Sequence, residues 1–120
     1  MHELQLLKEV VRQIEPLCQA QPGNRLSRIR LEIDSHSHLA SHTTEELQAT
    51  FHFAARGTAV DSADLDIHVR VSTGTCQSCK TVFDRTPEIY GCPHCFSGDI
   101  AWEDFPELII RDIEFVDNAP

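Results

Sequence analysis

A chain of 120 residues, of which 41% are apolar, is long enough for one modest domain. Its formal net charge of -9 argues against a nucleic-acid partner, because phosphates require a basic surface. No segment approaches the ~20 apolar residues of a membrane span, and no apolar signal-peptide run follows Met1. The composition therefore predicts a soluble cytoplasmic protein without nucleic-acid or membrane partners.

The first part of the chain predicts a helix followed by a strand. From Glu3 to about Ala20 apolar residues recur at helical spacing, and Pro16 should kink this helix or end it early. Between residues 28 and 33 apolar and charged residues alternate, which is the period of a half-buried strand. The apolar stripe of the helix consists of Leu4, Leu7, Val10, Val11, Ile14, Leu17 and Cys18.

A second helix and a second strand come next. Thr43 and Glu46 fit a capping box at the start of a helix that Gly57 should end. Residues 65–71 then show the clearest strand alternation in the chain.

The last predicted strand covers residues 108–116, and its apolar residues change parity part-way along. This change predicts a β-bulge near Arg111 and Asp112. The expected fold class is α+β, with two helices packed on a three-stranded mixed sheet and a zinc-ribbon-like module inserted between the second and third strands.

Two Cys-x-x-Cys pairs form the strongest motif, Cys76 with Cys79 and Cys92 with Cys95. A single pair would equally fit a redox-active dithiol, but two pairs a dozen residues apart predict one tetrahedral zinc. Four thiolates leave no open coordination position, so this zinc should be structural. Cys18 has no obvious partner and lies on the apolar stripe.

The chain begins with Met1, His2 and Glu3. A histidine in second position can chelate an ion with its imidazole, its own backbone nitrogen and a free terminal amine, which suits square-planar nickel or copper. By itself this signal is weak, because most such histidines are exposed side chains.

Taken in order, several features of this chain resemble the HypA/HybF family of hydrogenase nickel-insertion proteins. They are the Met-His-Glu start, the segment Arg56-Gly57-Thr58, the two cysteine pairs and the closing run from Glu107 to Glu114. The resemblance implies a small metallochaperone and not an enzyme. It implies Ni(II) held by His2 with the backbone nitrogens around Met1 and Glu3. It also implies two partners, the maturation GTPase HypB and the large subunit of NiFe hydrogenase.

This resemblance divides the chain into a nickel-binding α/β core, residues 1–73 and 106–120, and a zinc-binding insert, residues 74–105. The sequence departs from the family pattern Gly-x-Leu-Ser, which reads Asp34-Ser35-His36-Ser37 here. Asp is among the few residues able to replace a glycine at positive φ. Lys80 and Phe96 also stand where many zinc knuckles carry glycine, and a left-handed backbone there would cost at most about 1 kcal/mol each.

Other candidates receive simpler interpretations. His36, His38 and His42 could supply a second metal, but a solvated loop is the favoured interpretation. His94 lies inside a cysteine pair whose zinc shell is already full, and His52 and His68 fall on predicted polar faces. The pair Glu45 and Glu46 is explained by helix capping.

No catalytic triad, phosphate loop or dinucleotide fingerprint is present in the sequence. Two hypotheses therefore remain. The first is a nickel metallochaperone that uses the zinc module as a rigid element. The second is a zinc-ribbon adaptor that bridges protein partners and in which His2 has no nickel role.

Overall fold

The computed structural model describes residues 2–117. Its core contains two α-helices, α1 (His2–Gln19) and α2 (Thr44–Ala55), and three long strands, β1 (Asn24–Asp34), β2 (Asp64–Arg70) and β6 (Leu108–Asp117). Short 3₁₀ helices, His38–Ser41 and Ala59–Ser62, flank α2. Three short strands lie between β2 and β6 in the chain: β3 (Thr73–Cys76), β4 (Val82–Asp84) and β5 (Ile100–Trp102).

The main sheet has the strand order β2-β1-β6, with β1 parallel to β2 and antiparallel to β6. Both helices contribute to one apolar core with alternate residues of β1, which is the central strand. The predicted fold, two helices on a mixed three-stranded sheet, is confirmed. The fully buried part of this core includes Leu7, Val10 and Ile14 from α1, Leu26, Ile29 and Leu31 from β1, and Phe51 and Ala55 from α2.

The predicted bulge in β6 is also confirmed. Arg30 pairs with Asp112 whereas Leu31 pairs with Ile110, so Arg111 is the extra residue. Because of this extra residue, Ile110 and Ile113 both pack against the apolar core, although one is an even-numbered and the other an odd-numbered position.

α1 runs from His2 to Gln19, close to the predicted end near Ala20, and Pro16 lies inside it without ending it. The Ala20 amide donates to the Pro16 carbonyl at 3.1 Å. Two details of the predicted pattern are wrong. Leu17, placed on the apolar stripe, is 48% exposed. Val71 lies outside β2, and Val69 is 54% exposed, because core packing along this strand stops at Ile67.

The inserted segment has a second antiparallel sheet, with the order β4-β3-β5. Its packing centre is Trp102, whose ring meets Phe83 edge-on at a centroid distance of 5.7 Å. Gly74 allows this packing, since a Cβ there would lie 2.7 Å from the Trp102 ring. Among the described residues no helix is long and apolar enough to cross a bilayer.

Candidate metal sites

Each cysteine pair lies on a tight turn of the inserted segment. The amide of Lys80 donates to the Cys76 carbonyl, and the amide of Phe96 donates to the Cys92 carbonyl, both at 2.9 Å. Lys80 has φ 65° and Phe96 has φ 64°, so the backbone is left-handed at both positions. The two turns are therefore equivalent in geometry although neither carries glycine.

The turns bring the four thiols together. All four Sγ atoms lie within 4.8 Å of one another, with Cys76 to Cys95 at 3.5 Å and Cys79 to Cys92 at 3.6 Å. A disulfide would require about 2.05 Å, whereas tetrahedral zinc with bonds of about 2.3 Å places its sulfurs about 3.8 Å apart. The donor set and its spacing thus fit zinc with no open position, and zinc binding by these residues stays a prediction.

Backbone amides donate hydrogen bonds to two of the four sulfurs. The amide of Cys79 donates to Cys76 Sγ at 3.4 Å, and the amides of His94 and Cys95 donate to Cys92 Sγ at 3.3 Å. The pKa of Cys79 is lowered to about 6, chiefly because the Thr81 hydroxyl lies 3.1 Å from its sulfur. A thiolate is the form that a metal requires. The His94 ring does not belong to the cluster of described ligand atoms.

The amino-terminal site lies partly outside the described residues, which leave out Met1 and the side chain of His2. What is described is the start of α1 at His2 and the half-buried carboxylate of Glu3. The first four amides of a helix have no carbonyl of the same helix to bond, so the backbone nitrogens of His2 and Glu3 are not needed by the helix ladder.

The histidine loop is folded, and its three histidines have different surroundings. His36 contacts the buried Asp34 carboxylate through Nδ1, and His38 is exposed. His42 Nε2 lies 3.0 Å from Glu3 Oε1, and this hydrogen bond is the main reason that the pKa of His42 is raised. The three do not form a metal cluster among the described residues, but the prediction that all are solvated is wrong for His36 and His42.

The remaining candidates have structural roles. Thr43 accepts from the Glu46 amide and its own amide donates to Glu46, so the capping box is confirmed. His52 and His68 are paired with Asp61 at 3.2 Å and Asp66 at 3.3 Å, as expected for polar faces.

Sequence reasoning missed the role of Asp34. It is not among the described non-glycine residues with positive φ, so it does not replace a left-handed glycine. Its side chain is fully buried and accepts hydrogen bonds from the Ser72 hydroxyl at 2.6 Å and the His36 amide at 3.1 Å. Asp34 thereby joins β1 to the segment that leads into the insert. Only the carboxylate at the end of β1, directly after the apolar Ile33, could have signalled this role in the sequence.

A comparison with known families decides the assignment. A family model described as "Hydrogenase/urease nickel incorporation, metallochaperone, hypA" matches residues 1–115. The chain belongs to the HypA family. The hydrogenase maturation factor HypA of Chlorobium limicola is 31% identical over 113 residues, covering 94% of this chain and 95% of that protein. The factor of Methylocella silvestris is 29% identical, covering 95% and 98% respectively.

Solved structures of HypA proteins share the fold. The solution structure of the Ni metallochaperone HypA from Helicobacter pylori superposes with a TM-score of 0.59 at 17% identity, covering 97% of this chain and 98% of that one. Another solution structure, of a HypA protein, gives a TM-score of 0.60 at 18% identity and covers 97% of both chains. At such identities the superpositions bear on the fold alone.

Proposed function

We propose that this chain is a nickel metallochaperone that binds Ni(II) at its amino terminus and delivers it during NiFe hydrogenase maturation. The observation that carries the proposal is the family match, which begins at residue 1 and so includes Met1, His2 and Glu3. Nickel is the cargo of this protein. No catalytic step is part of the proposed role.

In the proposed nickel site the ligands are the His2 imidazole and backbone nitrogens around Met1 and Glu3. Ring closure by neighbouring nitrogens favours a square-planar ion such as Ni(II). The position of these residues in the first turn of α1 supports the proposal, because their amides can be given to a metal without breaking the helix ladder.

Zinc is the proposed resident metal, held by Cys76, Cys79, Cys92 and Cys95. It supplies folding energy to an insert whose described core is little more than Trp102 and its neighbours, and it has no free position for chemistry. In this proposal residues 74–105 form the zinc-binding insert, and residues 1–73 and 106–120 form the nickel-binding core.

The proposed partners are the GTPase HypB and the large subunit of NiFe hydrogenase. Membership of a hydrogenase maturation family supports them, and a net charge of -9 suits protein partners better than nucleic acid. The proposed location is the cytoplasm, where paired thiols stay reduced and available for zinc. The alternative function is a zinc-ribbon adaptor without a nickel role, which the convergence of the four thiols would support equally.

Nickel titration of two tagged forms tests the proposal. A tag before Met1 converts the terminal amine to an amide and should abolish tight nickel binding, whereas a tag after Pro120 should retain one tight nickel. Substitution His2→Ala in the carboxy-terminally tagged form should also remove that nickel. Zinc content, measured by elemental analysis, should be the same in all three proteins. Equal tight nickel binding in all three would exclude the amino-terminal site and leave the adaptor function.

A further inference from the structure

Three side chains in contact, Glu3, His42 and Glu46, connect the first turn of α1 to the first turn of α2. His42 Nε2 lies 3.0 Å from Glu3 Oε1, and its Nδ1 lies 3.7 Å from Glu46 Oε2. The other oxygen of Glu46 accepts the Thr43 amide at 2.9 Å in the capping box of α2. The His42 imidazole therefore connects the first turn of α1 to the capped start of α2.

The loop that carries His42 is itself held in place. Leu39 is completely buried, and the His42 amide donates to its carbonyl at 3.2 Å. The short 3₁₀ helix His38–Ser41 is capped by Ser37, which is also fully buried. The His42 side chain is only 35% exposed. A histidine in such a setting is a fixed hydrogen-bonding group, unlike the exposed His38 in the same loop.

We propose that His42 is a positioning residue for the amino-terminal nickel site, acting through its hydrogen bond to the Glu3 carboxylate. This inference rests on the proposed function. Nickel chelation by backbone nitrogens requires the first residues to adopt one conformation, and a chain terminus otherwise has many. A fixed Glu3 side chain also restricts the Glu3 backbone, whose nitrogen is one of the proposed nickel ligands. Hydrogen-bonding partners of ligand residues commonly change metal affinity by 10–100-fold when removed.

A double-mutant cycle tests whether His42 acts through Glu3. Nickel is titrated at one fixed pH into the full chain, tagged after Pro120 only, as wild type, Glu3→Ala, His42→Ala and the double variant. Glu3→Ala keeps the backbone nitrogen and removes the carboxylate together with the methylene that bears it. We expect His42→Ala to weaken nickel binding about tenfold in the wild-type chain and to have no further effect in Glu3→Ala. An equal loss in both backgrounds, or no loss in either, overturns the proposal.

Two matched variants separate positioning from direct ligation and from general damage to the loop. His42→Gln keeps a donor near Glu3 without an imidazole and should recover most of the affinity. His38→Ala removes an exposed histidine from the same loop and should leave the affinity unchanged. The visible absorption band of bound nickel should be the same in wild type and His42→Ala. A shifted band would make His42 a ligand, and failure of His42→Gln to recover affinity would show that donation to Glu3 is not its role.

The wild-type titration distinguishes failure of this inference from failure of the proposed function. If wild type binds one tight nickel that His2→Ala removes, and His42→Ala binds it equally well, only the role of His42 is lost. If wild type has no tight nickel dependent on His2, the nickel site itself is absent and this inference fails with it. Thermal unfolding of each variant establishes that the comparison is made between folded proteins.

Discussion

Two residues of the cysteine-pair turns have an unusual backbone for their type. Lys80 and Phe96 have φ of 65° and 64°, a region that costs non-glycine residues roughly 1 kcal/mol. Phe96 gains little packing in return, because 86% of its surface is exposed. The turn nevertheless requires this conformation, since it lets the Phe96 amide reach the Cys92 carbonyl at 2.9 Å. The hydrogen bond that closes the turn therefore outweighs the conformational preference of the Phe96 residue.

We expect Phe96→Gly to tighten zinc binding by up to about fivefold, because relief of about 1 kcal/mol of strain is transferred to metal affinity when binding and folding are coupled. Phe96→Ala is the matched control: it removes the same ring but keeps a Cβ at positive φ, so no gain is expected. Competition with a chromophoric chelator measures both. A glycine variant that binds zinc more weakly than the alanine variant would contradict the strain argument.

Among the helices and strands, those with a regular apolar period were predictable from the sequence. The alternation in β1 and β2, the bulge at Arg111 and the start of α2 all follow from local patterns that the tertiary structure supports. The errors lie at positions where the apolar pattern of the sequence continues beyond the last residue that packs in the core. Leu17 and Val69 continue an apolar period but reach solvent, because no neighbouring element within residues 2–117 covers them.

The start of α2 offers a prediction for a single element. Thr43→Ala removes the hydroxyl that accepts from the Glu46 amide at 3.1 Å, and this should lower the free energy of unfolding by about 1 kcal/mol. Thr44→Ala is a suitable control, because Thr44 is exposed and is the first residue inside the helix. Urea unfolding followed by circular dichroism compares the two. An equal effect of both substitutions would mean that the capping box contributes nothing to stability.

For the whole molecule the least predictable feature is the polar junction between core and insert. Ser35 donates to the Arg85 carbonyl at 2.5 Å, and Arg70 pairs with Glu103 at 2.7 Å. These contacts join residues 33 to 50 positions apart in sequence. Polar residues at such separations leave no periodic signal. The convergence of the four thiols was predictable because the spacing within each cysteine pair is local. The contact between Glu3 and His42 was not predictable, because it joins α1 to the loop before α2 through tertiary structure.

Asp34 makes this junction sensitive to acid. Burial raises the pKa of its carboxyl, but hydrogen bonds from Ser72 and His36 lower it more, so the net shift is downward from 3.8. A lowered folded-state pKa gives stability that is complete above the unfolded-state value and is lost as pH falls through the folded-state value. We expect Asp34→Asn to cost about 2 kcal/mol at pH 7 and progressively less below about pH 4.

Urea unfolding of the metal-free wild type and Asp34→Asn, at pH 7 and below about pH 4, measures this difference without interference from zinc release. Ser72 and His36, the partners of Asp34, both lie outside the insert. Because both proteins carry the same remaining carboxylates, subtraction isolates Asp34. A difference that stays constant or grows as the pH falls would show that the charge of Asp34 does not stabilise the fold.

Removal of zinc should unfold the insert and leave the core folded. The chain has a single tryptophan, Trp102, which packs in the insert against Gly74 and Phe83, whereas both helices belong to the core. A strong chelator should therefore shift the tryptophan emission to the red as the insert unfolds, and the helical circular dichroism signal should remain. Cys92→Ala should show the same emission without chelator, and Cys18→Ser should respond to chelator as wild type does. Simultaneous loss of the helical signal and of the Trp102 environment would instead mean that the polar junction makes core and insert one cooperative unit, so that zinc stabilises the whole protein.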